Sequence, residues 1–210
     1  MYRRFYLLIQ LDVDVLILNT RHDKEAIKRM MEKYLRFDLE APYTGSNWKI
    51  LYYRPNGSTV DGVQIKIDVL TSGVAELPVF HPSWIEHRDG FPAAPLLLVL
   101  LHKTLGWWRR LNEPRLNKYK KHLEDADDVI NLLELSSQME VAIIDGILPD
   151  EFLLQASTWV SEFIAQYPGD EIRSYWAKIG FSRSAQCMTI QKTRHPEVGF
   201  TKFPTLTNPV

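Results

Sequence analysis

Leu11-Asp12-Val13-Asp14-Val15 and, further along the chain, Ile65-Lys66-Ile67-Asp68-Val69 are two short runs in which charged residues alternate with aliphatic ones. Successive side chains of a β-strand point to opposite faces, so Asp12 and Asp14 share one face while Leu11, Val13 and Val15 share the other. The two carboxylates sit about 7 Å apart at the backbone by strand rise. At that spacing both can lean onto one divalent cation, and hard oxygen ligands suit Mg²⁺. The same parity puts Lys66 and Asp68 on one face, with Ile65, Ile67 and Val69 opposite, and makes Asp68 the natural third carboxylate. Three acidic groups on adjacent strands repel one another unless a cation neutralises them, which points to a metal site. In phosphoryl transfer such a centre orients nucleotide phosphates, and one carboxylate can help deprotonate the attacking hydroxyl. The alternation equally describes a half-exposed sheet whose solvent face carries aspartates. Spacing alone leaves both readings open.

Outward from these runs, residues 5–18 are rich in Leu, Ile, Val and aromatics and end at the polar stretch Asn19-Thr20-Arg21-His22-Asp23, which predicts a first strand. Ala26, Ile27, Met30, Met31 and Tyr34 recur at helical spacing behind Asp23, a residue placed to cap that helix. Short strands are expected over 37–40 and 48–53, and a turn at Arg54-Pro55-Asn56-Gly57 leads to a strand over 63–70. Prolines 78, 82, 92 and 95 mark an irregular connector. Beyond it nearly every segment has helical periodicity: Pro95 begins a helix to Leu111, Pro114 one to Leu135, and two more cover 152–167 and 172–179 across Pro168-Gly169. The expected fold class is α+β, a mixed sheet followed by a helical C-terminal half. Its divisions are a core over 1–80, a helical region over 81–195 and a loop or disordered tail over 196–210.

With 210 residues, 45% of them hydrophobic, the chain suits one large domain or two small ones. Lys+Arg 25 against Asp+Glu 26 gives a formal net charge of -1, which excludes a global basic field of the kind that drives nonspecific nucleic-acid binding. The single cysteine, Cys187, forms no internal disulfide and has no zinc-spaced partners, so a reducing, cytoplasmic location is expected. The first eleven residues read as a strand, not a signal peptide. The apolar run 95–101 falls well short of the roughly 20 residues that span a bilayer. The histidines lack a nearby serine or cysteine partner, which leaves a hydrolytic triad without support.

The order of the runs carries a resemblance. Leu11-Asp12-Val13-Asp14-Val15, then Lys66-Ile67-Asp68-Val69-Leu70, then residues 97–105 with Lys103, then residues 121–130 with Asp125 and Asp128 resemble the polymerase-beta-like nucleotidyltransferase superfamily over residues 8–135. The similarity is nearest the branch of abortive-infection toxin-type nucleotidyltransferases and uncharacterised fungal proteins. It implies a sheet of nucleotidyltransferase type and transfer of a nucleotidyl group from a nucleoside triphosphate, with Mg²⁺, to RNA, protein or a small molecule. By the resemblance, Asp12 and Asp14 are the paired metal ligands and Asp68 the third carboxylate. Lys103 and Asp125 or Asp128 then approach the nucleotide from the helical half. The family places a Gly-Ser or Gly-Gly turn on a helix ahead of the Asp-x-Asp strand, to hold the phosphates. Here eleven residues precede Asp12, none of them glycine, and Gly45-Ser46 comes after that strand. The departure implies either a core lacking its N-terminal Gly-Ser helix or a degenerate relative, a catalytically inactive binding or interaction protein on the same fold. A third expectation, an unrelated α+β fold, applies if Asp68 lies far from Asp12 and Asp14.

Three further features have two readings each. Lys103 either reaches a phosphate or snorkels to solvent from an apolar helix. Trp107-Trp108-Arg109-Arg110 is either a base-stacking platform or a helix end whose tryptophans pack the core. Lys118, Lys120, Lys121 and His122 form a compact basic cluster, either a contact for RNA phosphates or a solvated helix face.

Overall fold

A computed structural model describes residues 12–18, 21–42, 45, 47–55, 64–73, 77–79, 81–88, 90–111, 116–144, 147–183 and 188–192. The expected first strand before Asp12, the polar pair Asn19-Thr20, Ser46, the turn at Asn56-Gly57, the strand start at Val63, Pro114, Cys187 and the tail over 196–210 lie outside the described residues. The chain divides into two compact units, Met1–Ser83 and Trp84–Val210.

In the first unit β1 (Asp12–Ile17), α1 (Lys24–Glu32), β2 (Phe37–Glu40), β3 (Ile50–Tyr53) and β4 (Ile65–Thr71) follow in order. The strands form one mixed sheet, β1-β4-β3-β2. β1 runs parallel to β4, whereas β4, β3 and β2 alternate direction. Period-2 alternation sorts the faces: Val15 and Ile17 of β1 join Ile67 and Val69 of β4, Leu51 of β3, and Phe37 and Leu39 of β2 around Ile27 of α1. The helix starts where the polar stop predicts, with the Asp23 carboxylate accepting the Ala26 N–H at 2.8 Å. It packs on β2 and β4, so Val13, of the same parity as Val15, stays 43% exposed at the start of β1. Met30 and Tyr34, expected on the buried stripe, are 49% and 70% exposed. The helix ends at Glu32, and the positive φ of Arg36 (87°) turns the chain into β2 before Tyr34 can reach the core.

Lys28 fills the place that the helical pattern leaves to an apolar residue, and only 10% of its side chain is exposed. Its ammonium donates to Glu25 Oε1 at 2.7 Å and to the Lys49 carbonyl, while Lys49 N–H donates to Glu25 Oε2 at 3.2 Å. This triangle ties α1 to the segment entering β3. Burial pushes the Glu25 pKa up, but the Lys28 hydrogen bond, the Lys49 N–H and the Lys28 and Lys24 charges outweigh it, leaving it below the ordinary 4.5. A depressed carboxylate contributes stability that is complete above the unfolded pKa and lost as the pH falls through the folded one. Urea midpoints measured from pH 6 down to pH 3 are therefore expected to fall more steeply below about pH 4.5 in the wild type than in Glu25→Gln. Parallel curves would remove Glu25 from the acid response.

The second unit contains a hairpin, β5 (Glu86–Arg88) and β6 (Phe91–Ala93), then α2 (Leu96–Leu111), α3 (Leu116–Gln138), α4 (Asp150–Gln166) and α5 (Asp170–Ile179), and a last hairpin, β7 (Phe181–Arg183) and β8 (Met188–Ile190). The Pro95 carbonyl accepts the Val99 N–H at 3.2 Å, so the fixed φ of proline sets the first turn of α2. The proline-rich connector is more ordered than its composition predicts. It holds the 3-10 turn Pro82–Trp84 and the β5-β6 hairpin, whose three-residue strands are too short to show alternation. Around α2 the core closes on Trp107, fully buried, stacked on His122 at 5.5 Å and edge-on to Phe163 at 4.8 Å. That favours, for Trp107, the reading of a helix end that packs the core, while Trp108 beside it is half-buried. It also divides the basic cluster, because His122 is buried while Lys121 is exposed. The side chains of Lys118 and Lys120 lie outside the described residues. The fold class is α+β, a four-stranded mixed sheet with five α-helices among the described residues. No helix of the described residues is long and apolar enough to cross a membrane.

Candidate functional site

The parallel ladder between β1 and β4 sets the centre. Asp12 pairs with Lys66, and Asp14 pairs with Asp68. The side opposite the core therefore carries Asp12 and Asp14 on one strand and Lys66 and Asp68 on its neighbour, about 4.8 Å away by strand spacing. This excludes the arrangement in which Asp68 is remote from the other two. Asp12 and Asp14 are exposed, and the side chains of Lys66 and Asp68 are half-buried.

Lys66 Nζ is bonded to Asp68 Oδ2. Burial works against its positive charge, but the hydrogen bond to Asp68 and the negative charges of Asp68, Asp12 and Asp14 outweigh it, so its pKa rises above the ordinary 10.5. The lysine thus feels all three carboxylates. Further across the same face, Arg54 donates to Asp38 Oδ2 at 2.6 Å and to Glu40 Oε1 at 2.7 Å, and Gln64 donates to Glu40 Oε1 at 2.8 Å. Five carboxylates, Asp12, Asp14, Asp38, Glu40 and Asp68, thus meet two cations, Lys66 and Arg54, and the face attracts positive charge.

The donor set fits Mg²⁺, because it offers hard carboxylate oxygens from one face of neighbouring strands. Among the described residues, however, no three His, Cys, Asp or Glu side chains are gathered to hold a metal ion.

The remaining sequence-derived candidates lie in the second unit. Lys103 of α2 donates to Asp128 Oδ2 of α3 at 2.8 Å, both half-exposed. Asp125, 2% exposed, is bonded to Arg110, with Lys121 Nζ at 3.9 Å from its other oxygen. Both pairs join α2 to α3, and Asp125 faces inward. Lys66 and Arg54 are charged neighbours of the centre that the sequence does not single out as site residues. The parity of Lys66 was legible in the sequence, but its role as a counter-ion needs the neighbouring strand.

Among solved structures the chain is similar to an antigenic nucleotidyltransferase-like protein from Paracoccidioides brasiliensis, with a TM-score of 0.52 and 15% identity over 80% of this chain and 74% of that one. No protein-family model and no curated protein matches the chain. At that identity the likeness concerns architecture alone, and with the mixed sheet and helical second half it establishes that the chain has a nucleotidyltransferase-like fold.

Proposed function

We propose that the acidic face of the first unit is the centre of a Mg²⁺-dependent nucleotidyltransferase, with Asp12, Asp14 and Asp68 as cation ligands. The observation that carries the reading is the ladder register, which sets Asp14 against Asp68 and leaves Asp12 two residues away on the same face. The substrate is a nucleoside triphosphate, and the acceptor is a hydroxyl of RNA, protein or a small molecule. In the transfer, the acceptor oxygen bonds to the α-phosphorus as the bond to pyrophosphate breaks. A bound Mg²⁺ would orient the phosphates and offset the charge developing on their oxygens. An exposed carboxylate, Asp12 or Asp14, takes the acceptor's proton. Asp125, committed to Arg110 inside the helical unit, has no part in this reading, and Lys103 and Asp128 neutralise each other.

A second reading, a noncatalytic binding or interaction protein on the same fold, is favoured by one observation: the Lys66 ammonium pairs with Asp68 and so neutralises one of the three carboxylates. Calorimetry with each of the four ribonucleoside triphosphates, with and without Mg²⁺, separates the two. Metal-dependent binding that weakens at least about tenfold in Asp14→Asn and in Asp12→Asn is the expected result, since each change removes a ligand charge from the centre. Absence of binding by the intact chain would exclude the enzyme reading, and metal-independent binding unaffected by the substitutions would favour the second.

A further inference from the structure

We propose that Lys66 is the built-in counter-cation of the acidic centre, and that a divalent cation binding there competes with its ammonium for Asp68. The inference rests on the metal-centre reading above and adds how that centre is held and regulated when no cation is bound.

The placement follows from the register. Lys66 lies opposite Asp12 across the parallel ladder and two residues before Asp68 on its own strand, while Asp68 lies opposite Asp14. Its ammonium therefore stands inside the set of three carboxylates and is bonded to one of them. On its other side Lys66 pairs with Tyr52, which brings no charge. Arg54, the other cation of this face, is held by Asp38 and Glu40 with 18% of its side chain exposed, so it does not compensate the centre. Lysine is a compact charge on a flexible stem and can withdraw without backbone movement. With 33% of the Lys66 side chain and 44% of the Asp68 side chain exposed, the bridge opens directly to solvent.

Two consequences follow. The Asp68 oxygen that accepts from Nζ is shared with the lysine, so a metal competes with the ammonium for its electron density. A divalent cation entering beside the ammonium also meets a like charge at a few ångströms. Both effects weaken cation binding, and removing the ammonium should strengthen it by about tenfold at the dielectric of a half-exposed site.

The test uses the full chain and Mn²⁺ alone, without nucleotide, titrated calorimetrically into the wild type, Lys66→Met, Asp68→Asn and the double variant. Methionine keeps an unbranched stem and removes the charge, and Lys66→Gln serves as a second uncharged replacement should Lys66→Met fold poorly. The expected result is Mn²⁺ binding about tenfold tighter in Lys66→Met than in the wild type, with a smaller gain when Asp68→Asn is also present, because only the repulsion between the charges then remains to be relieved. Thermal unfolding without metal supplies an independent readout. There, Lys66→Met and Asp68→Asn should each lower the midpoint, and the double variant should lower it by less than their sum. If the wild type binds Mn²⁺ and Lys66→Met binds it no more tightly, the competition is overturned while the metal centre stands. If no variant binds Mn²⁺, the metal centre falls and the competition with it. Additive shifts in the unfolding midpoints would overturn the counter-cation role on their own.

Discussion

Gly180→Ala is expected to destabilise the helical unit by more than about 3 kcal/mol, the sum of a left-handed backbone imposed on a residue with a Cβ and a steric clash. Gly180 caps α5 with φ at 123°, its N–H shared between the Ala177 and Trp176 carbonyls at 3.1 and 3.2 Å. Its own carbonyl accepts the Gln191 N–H at 2.7 Å, which holds the end of β8 against the helix terminus. A Cβ on Gly180 would fall 2.3 Å from the Gln191 carbonyl oxygen and 3.3 Å from Ile143 Cδ1. Because the obstructing atom belongs to the backbone, no rotamer relieves the contact, and the segment after β8 has to move away. Urea denaturation of the two proteins measures the loss. A change under about 1 kcal/mol would mean that the β7-β8 hairpin is free to part from α5 at little cost.

The second large effect is expected at Asp125, whose substitution by alanine should cost about 3 kcal/mol. The carboxylate is almost fully buried between α2 and α3 and bonded to Arg110, so its removal leaves the guanidinium without this partner. The cost belongs at the lower end for a broken buried pair, because 31% of the Arg110 side chain reaches solvent and the guanidinium can rehydrate. Arg110→Ala and the double variant complete a cycle, and a coupling near zero would show that the two groups stabilise the helices independently. This also separates structure from ligand binding: a variant of unchanged stability that loses nucleotide affinity would make Asp125 a binding residue.

The interactions that shape this protein act over very different distances along the chain. Alternation within five residues placed Asp12, Asp14, Lys66 and Asp68 on common faces of their strands. A capping residue and a proline marked the starts of α1 and α2, and helical periodicity predicted α4 and α5 to within a few residues. Each of these is a local property, set by the period of the backbone or by the hydrogen bonds of one turn. The short hairpins β5-β6 and β7-β8 went unread, since three residues hold too little alternation to stand out. The buried Lys28 and the inward-facing Asp125 went unread for another reason. A charged residue on a helix reads as surface until its partner, here Glu25 with the Lys49 carbonyl or Arg110, is brought to it.

The centre itself depended on both levels. Parity within each strand determined which face every carboxylate takes, and that much the amino-acid sequence settled by itself. Parity is unchanged when one strand slides past its neighbour by two residues, and such a slide would set Asp68 against Asp12 or Leu16 instead of Asp14. Only the packing of Val15 and Ile17 with Ile67 and Val69 over α1 decides that offset, and with it the lysine among the carboxylates.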